Sequence, residues 1–209
     1  YNLVDTWFAG RISAEAIAAI AKSFPIYFTI IAIGVGLTAG TNTLIGNNIG
    51  ANNKKKASLF VAQSIIFAIF LSILVTFFGL NVSDFLLSIM GSDQEGIILS
   101  RKYLDIIFYG TIIVLVQISL NGVLNAQGDT KSYRNVLIFS FFLNIFLNPL
   151  FIFGYGFIPA FGISGLAIAT VVAQFIGLLY LAHKVYCCEL KQYLEFQCFI
   201  PKFNLIREL

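Results

Sequence analysis

Residues 135–154, NVLIFSFFLNIFLNPLFIFG, form an apolar run of membrane-spanning length that carries two asparagines, Asn144 and Asn148, with Pro149 directly after. A separation of four on a helix brings both amides onto one face. Burying two amides in hydrocarbon costs free energy unless each finds a partner. Pro149 has no N–H, so it leaves the carbonyl of Ile145 without its helical donor. Two amides and a freed carbonyl at bilayer depth are tolerated only where they face protein or a water-filled cavity. The stretch therefore predicts a polar niche inside an all-α membrane protein.

The rest of the chain fits that class. Of its 209 residues, 58% are hydrophobic and 11% charged, whereas soluble domains carry about 25% charged residues. A net charge of +3 is too small to argue for a nucleic-acid partner. Cys187 and Cys188 are adjacent and Cys198 lies in the tail. They read as reduced thiols, with no disulfide framework. His183, at the end of the last apolar run, reads as an interfacial residue.

Apolar runs predict helices over about 1–10, 14–48, 57–80, 101–126, 132–154 and 163–186. The first is expected to be truncated, because the chain opens at Tyr1 without a methionine and already within an apolar segment. The chain is thus expected to be a piece of a longer protein. Helix two should be broken or bent near Pro25, and its small residues, Gly34 to Gly50, should pack closely on a neighbour. Residues 81–100, with Asp84, Asp93 and Glu95, are expected to form a loop. Arg101 and Asp105, four apart, predict an interfacial ion pair. Gln117, Asn121 and Asn125 share one face, and either interhelical hydrogen bonding or cavity lining would explain them. Residues 189–209 mix charges with Phe and Leu and read as an interfacial segment or a linker. The lysines at 54–56, Lys131, Arg134 and Lys184 place their loops on the cytoplasmic side, against Arg11, Arg101 and Lys102. Asp5 then falls in the outer half of the membrane, at a depth helix five could reach.

Several stretches together resemble a known family. VDTWFAG, the Gly-rich helix ending in IGNNIGANNKKKA, LNGVLNAQGDTKSYRN and NIFLNPLFIFGYGFIPAFGISGLAIATVVAQ are similar to the multidrug and toxic compound extrusion family from Asp5 to about Tyr186. The resemblance implies a two-lobe, twelve-helix transporter in the plasma or inner membrane. Residues 1–188 would be its amino-terminal six-helix lobe and 189–209 a cytoplasmic interlobe linker. It also implies a coupling-ion site of Asp5, Asn144 and Asn148, with Thr170 as a further member. The implied ion is H+ or Na+, and Na+ would be held by Asp5, Asn144 and Asn148. The implied partners are an amphipathic small molecule, membrane lipid and the carboxy-terminal lobe, with no cofactor.

The residues agree with this reading independently. A carboxylate in hydrocarbon is a candidate to hold a proton and release it when water or sodium enters, and neutral oxygens suit sodium. The bland alternative is that Asp5 pairs at the interface with Arg11.

GISG, at 162–165, matches a serine motif of intramembrane proteases, with His183 as the base. On one continuous helix the two would stand roughly 28 Å apart at the helical rise, and a nucleophile needs its base within about 3 Å. The chain is therefore read as a non-enzyme. A flippase of lipid-linked precursors is the alternative function. Its cavity would be expected to carry several basic residues, yet Lys22 is the main one in the spans.

Overall fold

A computed structural model describes residues 2–193, 198 and 200. Six helices follow one another: α1 Asn2–Ile12, α2 Ala14–Gly50, α3 Lys54–Ile89, α4 Gln94–Ala126, α5 Lys131–Phe153 and α6 Ile163–Tyr186. A 3₁₀ turn, Glu189–Tyr193, comes after α6. From α2 to α6 the helices are long and apolar enough to cross a membrane, and the protein is an integral, multi-pass one. Of the expected segment 189–209, residues 194–197, 199 and 201–209 lie outside the described residues.

Local chemistry sets where the helices start and stop. The Ser13 hydroxyl accepts the Ala16 N–H at 3.1 Å and so caps α2. Of the expected break or bend, no break occurs: α2 runs as one helix through Pro25. Hydroxyls serve its backbone on both sides of the proline: Ser23 donates to the Ala19 carbonyl and Thr29 to that of Pro25. A proline removes only one helical bond, and nearby hydroxyls help a membrane helix tolerate it.

The largest departure from the sequence reading lies between α3 and α4. Most of residues 81–100 are helical rather than looped, and only residues 90–93 connect the two helices. Charged residues suggested a loop, but charge on an exposed helical face needs no break. Asn81 and Ser88 turn their side chains back onto the carbonyls of Phe77 and Phe85. The helix stops just before Gly91, whose φ of 73° suits glycine. There the Gly91 and Ser92 N–H groups bond the carbonyls of Ser88 and Leu87, a common helix stop. Asp93 then caps α4 through the Gly96 N–H. The expected Arg101–Asp105 pair forms at 3.5 Å, and Arg101 also meets Asp84 of α3 at 2.7 Å.

The chain forms two compact units. The first contains the chain up to Ile30, Leu74–Thr111 and Ile138–Phe175; the second contains Ile31–Ile73, Ile112–Leu137 and the chain from Ile176. Within the first, small residues let helices meet closely. A Cβ on Gly79 would clash with the edge of the Phe108 ring, and one on Gly165 would stand 2.5 Å from the Phe151 carbonyl oxygen. Hydroxyls add cross-helix bonds: Thr76 donates to the Phe108 carbonyl and Ser140 to that of Ala173. The second unit packs Ile45, Phe60, Val61, Leu120, Val123, Val136, Leu181 and Val185 into one apolar core. In it, Ser58 donates to the Leu190 carbonyl, and Gln63 donates to those of Cys198 and Ile200.

Candidate functional site

On α5 every fourth residue from Ser140 is buried: Ser140, Asn144, Asn148 and Ile152. Side chains four apart form a ridge that packs against neighbouring helices. That ridge carries both asparagines into the first unit. From α1, the face formed by Asp5, Phe8 and Ala9 is buried, and from α6 the face formed by Leu166, Ala167, Thr170 and Ala173. Asp5 is 1% exposed and both asparagines 0%.

The four polar residues close into a ring. Asn148 Nδ2 donates to Asp5 Oδ1 at 3.0 Å and to Asn144 Oδ1 at 3.1 Å. Asn144 Nδ2 donates to Thr170 Oγ1 at 3.1 Å, and Thr170 Oγ1 donates to Asp5 Oδ2 at 3.0 Å. Both carboxylate oxygens of Asp5 therefore accept from neutral donors. None of the ion pairs among the described residues includes Asp5. Arg11, the interfacial partner considered from sequence, instead lies over the Trp7 ring, 4.2 Å from its centroid.

This arrangement can support a buried carboxylate without a permanent counter-ion. The donors stabilise the charged form, and rotation of the Thr170 hydroxyl would free Oδ2 to carry a proton. Asn148 Oδ1 is buried without a partner. With the Asp5 carboxylate it offers the hard oxygens that an alkali cation takes. Among the described residues no group of three or more His, Cys, Asp or Glu is placed to hold a metal ion. An open cleft of about 520 Å³ in the same unit, lined by Glu15, Lys22, Asp93 and Glu95, has no member of the ring among its lining residues.

The other residues singled out from sequence lie elsewhere. Gln117 and Asn121 are buried in the second unit, and Asn125 there is half-buried. Ser164 of the GISG motif donates to the Lys102 carbonyl, and α6 runs unbroken from Ile163 to Tyr186, so Ser164 and His183 stay on one helix. Sequence reasoning passed over Tyr103 and Tyr27, which are buried at 3% and 7%. On apolar helices the two tyrosines look like ordinary core, so no sequence signal marked them.

The family model MatE matches residues 1–150. The chain belongs to the multidrug and toxic compound extrusion (MATE) family. Two curated relatives are an FAD transporter of Shewanella oneidensis and the probable multidrug resistance protein YoeA of Bacillus subtilis. The first is 31% identical, over 85% of this chain and 39% of its own length. YoeA is 30% identical, over 97% of this chain and 43% of its own length. Two solved structures share the fold. One, described as MATE in the bent conformation, is 29% identical with a TM-score of 0.88, over 99% of this chain and 46% of that one. The other, an inward-facing multidrug resistance MATE transporter, is 28% identical with a TM-score of 0.89, over 100% of this chain and 47% of that one. This MATE chain spans about two fifths of the curated relatives it matches and just under half of the solved chains. It has the six-helix fold of one lobe of those transporters. The family is one of transport proteins rather than enzymes.

Proposed function

We propose that this MATE chain is the amino-terminal lobe of a secondary active exporter of amphipathic organic compounds, driven by inward movement of H+ or Na+. The observation that carries the reading is the closed ring around Asp5, in which two helices supply neutral donors to a buried carboxylate. Desolvation makes an unpaired carboxylate costly, so such a group persists where it exchanges a charge. Ion binding breaks or re-forms bonds between α1, α5 and α6, and that free energy is what shifts substrate affinity. Transport itself follows by alternating access, with a carboxy-terminal lobe completing the path.

Relatives named for multidrug resistance support an organic substrate, and the one named as an FAD transporter widens its chemistry to flavin nucleotides. The test is efflux from cells carrying the complete gene, wild type against Asp5→Asn, with a fluorescent cationic dye and with FAD. Asparagine keeps the shape and removes the charge. Export by wild type, and its loss in a mutant that reaches the membrane equally, is the expected result. Export by Asp5→Asn at the wild-type rate would sink the assignment of Asp5. Efflux that persists after the ion gradients are collapsed would sink the antiport mechanism. Removing Na+ at constant pH then separates the two ions.

A further inference from the structure

Five consecutive residues near the start of α3, Phe60, Val61, Ala62, Gln63 and Ser64, are each 0% exposed. Successive helical residues point about 100° apart, so five in a row sweep more than a full turn. Packing on one side of a helix cannot bury them all. Further along, Ile69, Phe70 and Ile73 of the same helix are exposed, as on a face left to lipid. The start of α3 is therefore enclosed all round, and the chain after α6 makes contacts there.

Those contacts differ in strength. Lys54 meets Glu189 at 2.9 Å, but both side chains are exposed, and such pairs contribute little. Ser58 Oγ stands 3.0 Å from the Leu190 carbonyl oxygen and 3.0 Å from that of Lys54, so one hydroxyl proton serves two acceptors. Leu190, 2% exposed, packs into the core that holds Phe60 and Val61. Gln63 adds the strongest polar hold. Its Nε2 stands 2.8 Å from the carbonyl oxygens of both Cys198 and Ile200, so each of its two N–H groups has an acceptor of its own. A leucine would fill nearly the same space without the cost of burying an amide. The amide is thus explained by what it binds.

We propose that Gln63 is a latch that holds the chain after α6 at the Cys198 and Ile200 carbonyls, making those two positions part of the packed body of the second unit. Its consequence rests on the reading of this chain as one lobe of a two-lobe exporter. Cys198 and Ile200 travel with this unit during the cycle, and the connection that yields when the lobes move begins beyond Ile200.

The experiment is timed maleimide labelling of the protein, expressed from its complete gene and held in lipid vesicles, with each cysteine followed by peptide mass spectrometry. Cys198 is half-buried and reports on the latch, and Cys187 is exposed and serves as the internal control. Slower labelling of Cys198 than of Cys187 is expected in the wild type, and equal rates would overturn the proposal without any variant. In Gln63→Leu the Cys198 rate should rise roughly tenfold, the shift that about one lost hydrogen bond produces, with Cys187 unchanged. Lys54→Ala, which removes only the exposed ion pair, should leave both rates near wild type. A Cys198 rate that Gln63→Leu does not raise, or that Lys54→Ala raises as much, would overturn the latch. While the vesicles export a cationic dye, Cys198 should react no faster than in idle protein, and acceleration would overturn the shared movement. The idle-protein rates need no transport, so absent export counts against the exporter reading and not against the latch.

Discussion

Asn148 Nδ2 stands 3.0 Å from Asp5 Oδ1, although 143 positions separate the two residues in the chain. The same nitrogen reaches Asn144 Oδ1 at 3.1 Å. One NH₂ group thus ties α1 to α5 and also fixes the orientation of the neighbouring amide, which in turn faces Thr170.

Removing that group should show energetic coupling. Asn148→Ala leaves an oxygen of Asp5 and one of Asn144 without a donor, at about 1–3 kcal/mol for each buried orphan. In a cycle with Asp5→Ala, thermal unfolding should return an interaction energy of about 0.5–3 kcal/mol, the range for residues in contact. Strict additivity would mean that the contact carries no energy.

Thr170 has two roles in the ring, donor to Asp5 and acceptor from Asn144. Thr170→Val keeps the shape and loses both bonds, whereas Thr170→Ser keeps the hydroxyl. Ion-driven export should fall sharply in the valine variant and stay near wild type in the serine variant. Equal export by the two would show that the hydroxyl takes no part.

Two glycines should respond in opposite ways to alanine. At Gly165 the added Cβ would meet the α5 backbone, 2.5 Å from the Phe151 carbonyl oxygen and 2.8 Å from the Ile152 nitrogen. Backbone cannot move aside as a side-chain tip can, so overpacking of about 1–3 kcal/mol is expected. Gly36 has nothing within 4 Å of its added Cβ, and alanine there gains up to about 1 kcal/mol of helix propensity. Melting temperatures of the two variants, read side by side, check both signs.

Asp129 makes a pH-dependent contribution outside the membrane. It caps α5, accepting the Lys131 and Ser132 N–H groups at Oδ1 and the Ser132 hydroxyl at Oδ2. The Ser132 side chain, then its backbone N–H, hold the Asp129 carboxyl below its ordinary value of 3.8. A depressed folded-state value means that the cap is fully present above about pH 4 and is lost as pH falls through the lower, folded value. Asp129→Ala should cost about 0.5–2 kcal/mol at neutral pH, as other caps do. The gap from wild type should close below pH 4. A gap that stays constant down to pH 2 would contradict the assignment.

The sequence was most informative where the pattern is local. Apolar runs marked each helix, and the four-residue spacing of Asn144 and Asn148 put them on one face, which is how α5 presents them. Charge misled between α3 and α4, because Asp84 and its neighbours lie on an exposed helical surface that needs no loop. The stop at Gly91 had a visible signal, a glycine after an apolar turn. Gln117 was legible as a buried polar residue, but its want of a partner was not, since that depends on what faces it.

By itself, then, the sequence determined a bundle of membrane helices with polar side chains on defined faces, because helix periodicity and hydrocarbon length act on neighbouring residues. Only the tertiary structure decided which faces meet. It set Asp5 against Asn148 and Thr170 rather than Arg11, and buried the Gln117 amide without a hydrogen-bond partner. Such pairings depend on packing between helices far apart in the chain, and no local spacing encodes them.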